Sequence, residues 1–161
     1  MKLTTEDIEQ VKGILQNLGF LEHLTPEELR KLVAAFDKVE ILKGIELMNQ
    51  GTAGKVFYIL AAGSVGVYLK RALFDKKVAD LGPGSYFGEM ALIDNAPRES
   101  SVVCEADGVV YTLIQGDFND IIMRNPWIAH SIRKTAKDRK KQNHDLELKE
   151  RMEREKKNEK L

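Results

Sequence analysis

Between Val39 and Ile114 the chain is cut into short apolar runs by glycines, and this punctuation limits its fold more than any other feature. Val39-Glu40-Ile41-Leu42 alternates with a period of two and is turned by Lys43-Gly44. Ile45 to Met48 follows and is ended by Asn49-Gln50-Gly51. Gly54 precedes Val56 to Ala61, and Gly63 separates that run from Ser64 to Leu69. Lys70 to Lys77 reads as an exposed hairpin tip. Val78 to Leu81 returns from it into the tight turn Gly82-Pro83-Gly84. Val102 to Cys104 and Val109 to Ile114 close the series. Many short strands broken by glycines predict an antiparallel barrel or roll.

Helical patterns flank this region. Thr5-Glu6-Asp7 can cap a helix that runs to about Leu18, with Ile8, Val11, Ile14, Leu15 and Leu18 at helical spacing and Gly19 as its stop. Thr25-Pro26-Glu27-Glu28 combines an N-cap, a proline at the first helical position and a capping-box glutamate. Leu29, Leu32, Val33 and Phe36 give that second helix an apolar face. Beyond the strands, Gly116-Asp117 predicts a helix with Asp117 as N-cap and Phe118, Ile121 and Ile122 facing inward. Asn125-Pro126 opens another, with an apolar start at Trp127, Ile128 and Ile132. The expected division is N-terminal helices over 1–37, a β-roll over 38–115, and a hinge helix with a long charged helix over 116–161.

Within the roll, one stretch carries chemistry: Phe87-Gly88-Glu89-Met90-Ala91-Leu92, a turn at Asp94-Asn95-Ala96-Pro97, then Arg98-Glu99-Ser100. Gly88 lets backbone approach a ligand with no side chain between them. A helix starting there offers N–H groups and the positive end of its dipole to one anion. Arg98 adds a planar fork of donors suited to two phosphate oxygens. Pro97 stiffens the approach to it. A carboxylate at Glu89 beside an anion site needs a job of its own, and a ribose hydroxyl is the natural donor to it. Anion and hydroxyl side by side describe a ribose phosphate.

These residues, at these spacings, resemble the phosphate-binding cassette of the cyclic nucleotide-binding domain family, here over 86–103. That family includes regulatory subunits of cAMP-dependent protein kinase, catabolite activators and cyclic-nucleotide-gated channels. The resemblance extends over roughly Phe20 to Ile132 and is specific, because several residue types recur at set spacings. It implies an α+β fold: an antiparallel, jelly-roll-like β-roll flanked by N-terminal helices and a C-terminal hinge plus long helix. It implies that Arg98 binds the cyclic phosphate and Glu89 accepts the ribose 2′-hydroxyl. Gly88, Met90, Ala91, Glu99 and Ser100 would form the rest of the cassette, with the N–H groups of Ala91 and Glu99 on the phosphate. Val65, Leu81 and Leu92 are expected against the base. In catabolite activators a polar residue of the long helix meets adenine; the matching position here is Asn143, whose amide can bond to adenine. A solvent-exposed polar residue is the other reading of Asn143. For Glu89 and Arg98 the other reading is a surface salt bridge in a cassette that has lost its ligand.

Glu99 departs from the family pattern, which has alanine, serine or threonine there. At an effective dielectric of about 20 and roughly 6 Å, its repulsion of a phosphate is on the order of 2–3 kcal/mol before screening. The carboxylate must turn outward or accept hydrogen bonds from a base. The missing threonine weakens the usual cGMP recognition, so cAMP is the expected ligand ahead of cGMP.

Composition narrows the alternatives. One cysteine, Cys104, excludes an internal disulfide and reads as a small buried hydrophobe. The formal net charge is zero, which does not suggest a nucleic-acid partner. From Arg133 onward there are 12 basic and 7 acidic residues, about +5, balanced by about −5 elsewhere. Leu146, Leu148 and Met152 are too sparse there for a heptad seam. A solvated helix fraying toward Leu161 fits that composition, with a homodimer helix near Trp127 to Asn143 as the alternative. No apolar run spans a bilayer, no signal-peptide core opens the chain, and no helix-turn-helix follows the long helix. No metal site or nucleophile–base motif is visible around His23, His130 or His144. The chain is thus expected to be a cytoplasmic, stand-alone cyclic nucleotide receptor. It should be no enzyme, contact neither DNA nor membrane, and reposition its last helix for an unknown effector protein. A ligand-free interaction scaffold is the alternative.

Overall fold

The computed structural model describes residues 2–19, 24–93, 95–122 and 125–159, without the side chains of 122, 135–136, 139–147, 150 and 158–159. Its elements in order are α1 (Thr5–Gln16), α2 (Pro26–Ala34), β1 (Asp37–Ile41), β2 (Glu46–Met48), β3 (Val56–Ala62), β4 (Val65–Lys70) and β5 (Asp75–Leu81). Next come β6 (Tyr86–Phe87), one 3₁₀ turn (Glu89–Leu92), β7 (Ser101–Cys104), β8 (Gly108–Ile114), α3 (Gln115–Ile122) and α4 (Pro126–Glu159).

The strands form two four-stranded antiparallel sheets, ordered β1-β8-β3-β6 and β2-β7-β4-β5. Pairing is nested: β1 with β8, β2 with β7, β3 with β6, and β4 with β5. This is the jelly-roll-like arrangement that the resemblance implies, and it fits the barrel or roll expected from the glycine-punctuated runs. Strand alternation then sorts the apolar side chains into two clusters. Ile41, Met48, Leu60, Val65, Phe87, Val102, Cys104 and Val110 fill the space between the sheets. Phe57, Ile59, Tyr111 and Leu113 point the other way, onto the helices. There they meet Val11 and Leu15 of α1, Leu32 and Val33 of α2, Phe118 of α3, and Ile128 and Ile132 of α4. Leu92, from the 3₁₀ turn, belongs to this second cluster.

Several local expectations change in the folded chain. Thr4, not Thr5, caps α1 in a reciprocal box with Asp7, and the helix stops at Gln16 with Asn17 as C-cap. Ile8 is 40% exposed, and the inward position beside Val11 is taken by Asp7, which is 5% exposed. Its carboxylate accepts from Tyr111 Oη at 2.9 Å, Lys38 Nζ at 3.3 Å and the Thr4 N–H at 2.8 Å. That polar knot ties α1 to β1 and β8. Helix α3 begins at Gln115, whose N–H donates to the Lys55 carbonyl at 2.8 Å, so Asp117 lies in its first turn and is not the cap. Strand β5 begins at Asp75, which shortens the hairpin tip to Arg71–Phe74; its charged residues suit an edge strand. The two-residue strand β6, unmarked by any alternation of its own, pairs Tyr58 with Phe87 and Ile59 with Tyr86. Trp127 remains 67% exposed, while Ile128 and Ile132 are buried.

Candidate functional site

The cassette is the crossing from β6 to β7. Gly88 turns the chain with φ +80°, in the left-handed region that glycine enters without strain. A Cβ here would stand 2.9 Å from the Val56 carbonyl oxygen and 3.0 Å from Arg98 Nη1. Gly88 is therefore required by the arginine's seat as much as by any ligand.

After Gly88 the chain makes one turn of 3₁₀ geometry over Glu89–Leu92, in place of the helix expected from the sequence. Ile93 leaves the helical region at φ −123° because Ala91 and Leu92 are drawn into the core. A turn this short has little dipole of its own. The Ala91 N–H, expected to face a phosphate, donates to the Gly88 carbonyl at 3.1 Å. Ala91 itself is 3% exposed. Ala91 thereby closes the turn through its main chain. Met90, half-buried, packs against the helix-side cluster.

Arg98 is placed by its backbone first. Its N–H donates to the Thr52 carbonyl and its own carbonyl accepts from the Gly51 N–H, both at 2.8 Å. Pro97 bridges to Ala53 in antiparallel fashion. The side chain then turns inward, where Nη2 donates to the Val56 carbonyl at 2.8 Å and Nη1 to the Gly88 carbonyl at 3.3 Å. Burial draws the guanidinium below its ordinary pKa, and the neighbouring Tyr58 and Glu89 oppose that shift. An arginine with two anionic or polarisable neighbours stays charged. Tyr58 is fixed by stacking on Phe87 at 5.0 Å and by donating to the Leu47 carbonyl at 3.2 Å. Burial raises its phenol pKa, and Arg98 pulls the other way.

Glu89 is 5% exposed and lies close enough to act on Arg98. The structure thus brings together Gly88, Glu89 and Arg98, an acidic and a basic side chain from the two ends of the crossing. Glu99 is exposed to solvent, one of the two resolutions its charge required, and Ser100 is half-buried. Asn143 falls on α4, but its side chain lies outside the described residues. Val65 and Leu92 are 0% and 1% exposed, within the two core clusters, which leaves them no surface for a base. Leu81 is half-buried beside the inter-sheet cluster.

Sequence reasoning missed the far wall of the site. Thr52, Ala53, Gly54 and Val56 all bear on Pro97 or Arg98 from more than forty residues away. Ser101, 2% exposed, accepts from the Gln50 N–H at 2.9 Å and pins the same loop. The only signal was Gly51 and Gly54, which mark a loop but not its partner. A separate open cleft of about 590 Å³ lies between Arg71–Phe74 and the α4 residues Arg151 and Arg154. Its described lining is basic and apolar. Among the described residues no His, Cys, Asp or Glu cluster could hold a metal, and no helix is long and apolar enough to cross a membrane.

Comparison with known proteins adds to this geometry. The family model described as "Cyclic nucleotide-binding domain" matches residues 38–125. A cAMP-dependent protein kinase regulatory subunit from Eremothecium gossypii is 35% identical over 123 residues, covering 74% of this chain and 26% of the relative. The regulatory domain of Toxoplasma gondii PKA, solved with cAMP, superposes with a TM-score of 0.69 at 27% identity, covering 74% of this chain and 46% of that one. A cyclic nucleotide-binding-like protein from Brucella abortus superposes at 0.65 with 28% identity, covering 73% and 98%. The chain spans 12% to 32% of the length of the first curated relatives it matches.

Proposed function

We propose that this chain, which belongs to the cyclic nucleotide-binding domain family, is a receptor for a 3′,5′-cyclic nucleotide, with cAMP preferred over cGMP. The observation that carries the reading is the meeting of buried Glu89 with a backbone-seated Arg98 within one crossing. Arg98 would take the ring phosphate with the donors not committed to Val56 and Gly88. Glu89 would hold the ribose 2′-hydroxyl. Glu99, exposed, would oppose the phosphate only through solvent-screened repulsion. The domain is a regulatory one, and we assign the binding to this chain by itself.

The route from ligand to output runs through Leu92. It sits at the end of the 3₁₀ turn and packs in the same cluster as Phe118 of α3 and Ile128 and Ile132 of α4. A ligand that draws the turn inward displaces Leu92, and close-packed neighbours follow because a core has no slack. Helix α4 would thereby be repositioned for an effector protein or a second copy of the chain. The ligand shifts that balance only by its differential affinity for the two positions.

Isothermal titration with cAMP and with cGMP tests this, using folded protein shown by mass spectrometry to carry no nucleotide. Micromolar or tighter binding, stronger for cAMP and abolished by Arg98→Ala, is the expected result. No heat with either nucleotide overturns the receptor and leaves a scaffold.

A further inference from the structure

The loop from Asn49 to Lys55 is fastened to the cassette on both sides of Arg98, through Gly51 and Thr52 in the backbone and through Ala53 opposite Pro97. One residue of that loop touches the arginine's working end. A Cβ built on Gly54 would overlap Arg98 Nε and Nη2 and stand 2.5 Å from Cζ. All three atoms belong to the guanidinium plane, so the plane rests across a bare α carbon. The φ of Gly54 lies outside the left-handed range, so its backbone accepts alanine without strain. At Gly88 the backbone itself asks for glycine; at Gly54 the arginine alone does.

We infer that Gly54 is a positioning residue for Arg98: its missing side chain leaves the shelf on which the guanidinium lies while it reaches the Val56 and Gly88 carbonyls. Any side chain at 54 lifts the guanidinium off that shelf and breaks its bond to Val56. The fork then no longer faces the site in the orientation a phosphate needs. The effect on ligand affinity rests on the receptor reading above; the contact between the two residues does not.

A double-mutant cycle separates the two. Gly54→Ala is made in the native background and in Arg98→Ala, and thermal unfolding is followed without nucleotide. In the native background Tm falls by roughly 3–10 °C as the displaced guanidinium leaves the Val56 carbonyl without its charged donor. With Arg98 removed the same change costs less than about 2 °C. Gly82→Ala, where a Cβ meets nothing within 4 Å, serves as control and neither lowers Tm nor weakens binding. Titration with cAMP then shows Gly54→Ala weakening binding roughly tenfold or more. An equal Tm cost in both backgrounds, or an unchanged Kd in Gly54→Ala, overturns the assignment. Should Gly54→Ala fail to fold, recovery of folding in Gly54→Ala/Arg98→Ala supports it and continued failure refutes it. If the native protein binds no nucleotide, the receptor reading falls while the stability cycle still decides the contact.

Discussion

Replacing Arg98 with lysine keeps the charge and removes the fork, which makes it the sharper probe of how the site works. In the structure the guanidinium uses Nη2 on the Val56 carbonyl at 2.8 Å and Nη1 on the Gly88 carbonyl at 3.3 Å. Two of its five donors are thereby spent on orientation, and the others remain in a fixed plane for a ligand. A lysine has one nitrogen. Its three donors share that single atom, so it cannot span the Val56 and Gly88 carbonyls and a phosphate with the spread of a planar fork. The loss of one charge-assisted hydrogen bond is worth about 1.5–3 kcal/mol, or roughly 10- to 150-fold in Kd. Leaving one of the two half-buried carbonyls without its donor costs about 1 kcal/mol of stability, or about 2–4 °C in Tm for a chain of this size. Titration with cAMP beside a thermal melt reads both. A lysine variant that binds within threefold of native, with an unchanged melt, would refute the claim that the bidentate seat matters.

Three other outcomes rest on particular contacts. Glu99→Ser should tighten cAMP binding two- to fivefold at low salt, an exposed charge being screened, and the gain should vanish at high salt; titration at two ionic strengths tells. Tyr111→Phe removes a donor from buried Asp7 and should cost about 1.5–3 kcal/mol at pH 7 by urea unfolding. The Tyr111 phenol is pushed up to about 12 by burial first and then by its bond to Asp7. A raised acid favours the protonated folded state, so this contribution is complete below pH 10 and is lost as the pH rises through about 12. The gap between native and variant should therefore close over that interval, and a gap constant from pH 7 to 12 contradicts it. Gly13→Ala, within α1 where an added Cβ meets nothing within 4 Å, should raise stability by about 0.5–1 kcal/mol, measured by urea titration.

The parts of this molecule legible in its sequence are those encoded by near neighbours. Period-two runs located the longer strands, and Thr25-Pro26-Glu27-Glu28 located a helix start to the residue, because capping acts within one turn. The cassette was legible for the same reason: Gly88, Glu89 and Arg98 lie within eleven residues of one another. What escaped depended on distance along the chain. Strand β6 exists only because β3 offers it an edge. Asp7 looked like part of a polar first turn and is buried because Tyr111 and Lys38 wait for it across the roll. The shelf beneath Arg98 could not be read from Gly54, whose neighbours carry no charge pattern pointing to residue 98. The helix expected after Gly88 shrank to one turn because burial of Leu92 outweighed local propensity.

The nested strand pairing has a consequence in time. Of the paired strands only β4 and β5 are neighbours along the chain, joined by the four residues 71–74; β3 with β6, β2 with β7 and β1 with β8 enclose them in turn, and β4 with β7 and β3 with β8 complete the sheets. Such a roll closes from its innermost hairpin outward, each step surrendering a longer loop's freedom than the last. On a ribosome, β1 would emerge early and wait without a mate until residues 108–114 arrive. The same late closure presents Tyr111 to Asp7 and gives α1 its surface. A nascent chain halted before Gly108 can pair the β2-β7-β4-β5 sheet and β3 with β6, but it should leave β1 and α1 open to proteolysis until β8 clears the exit tunnel.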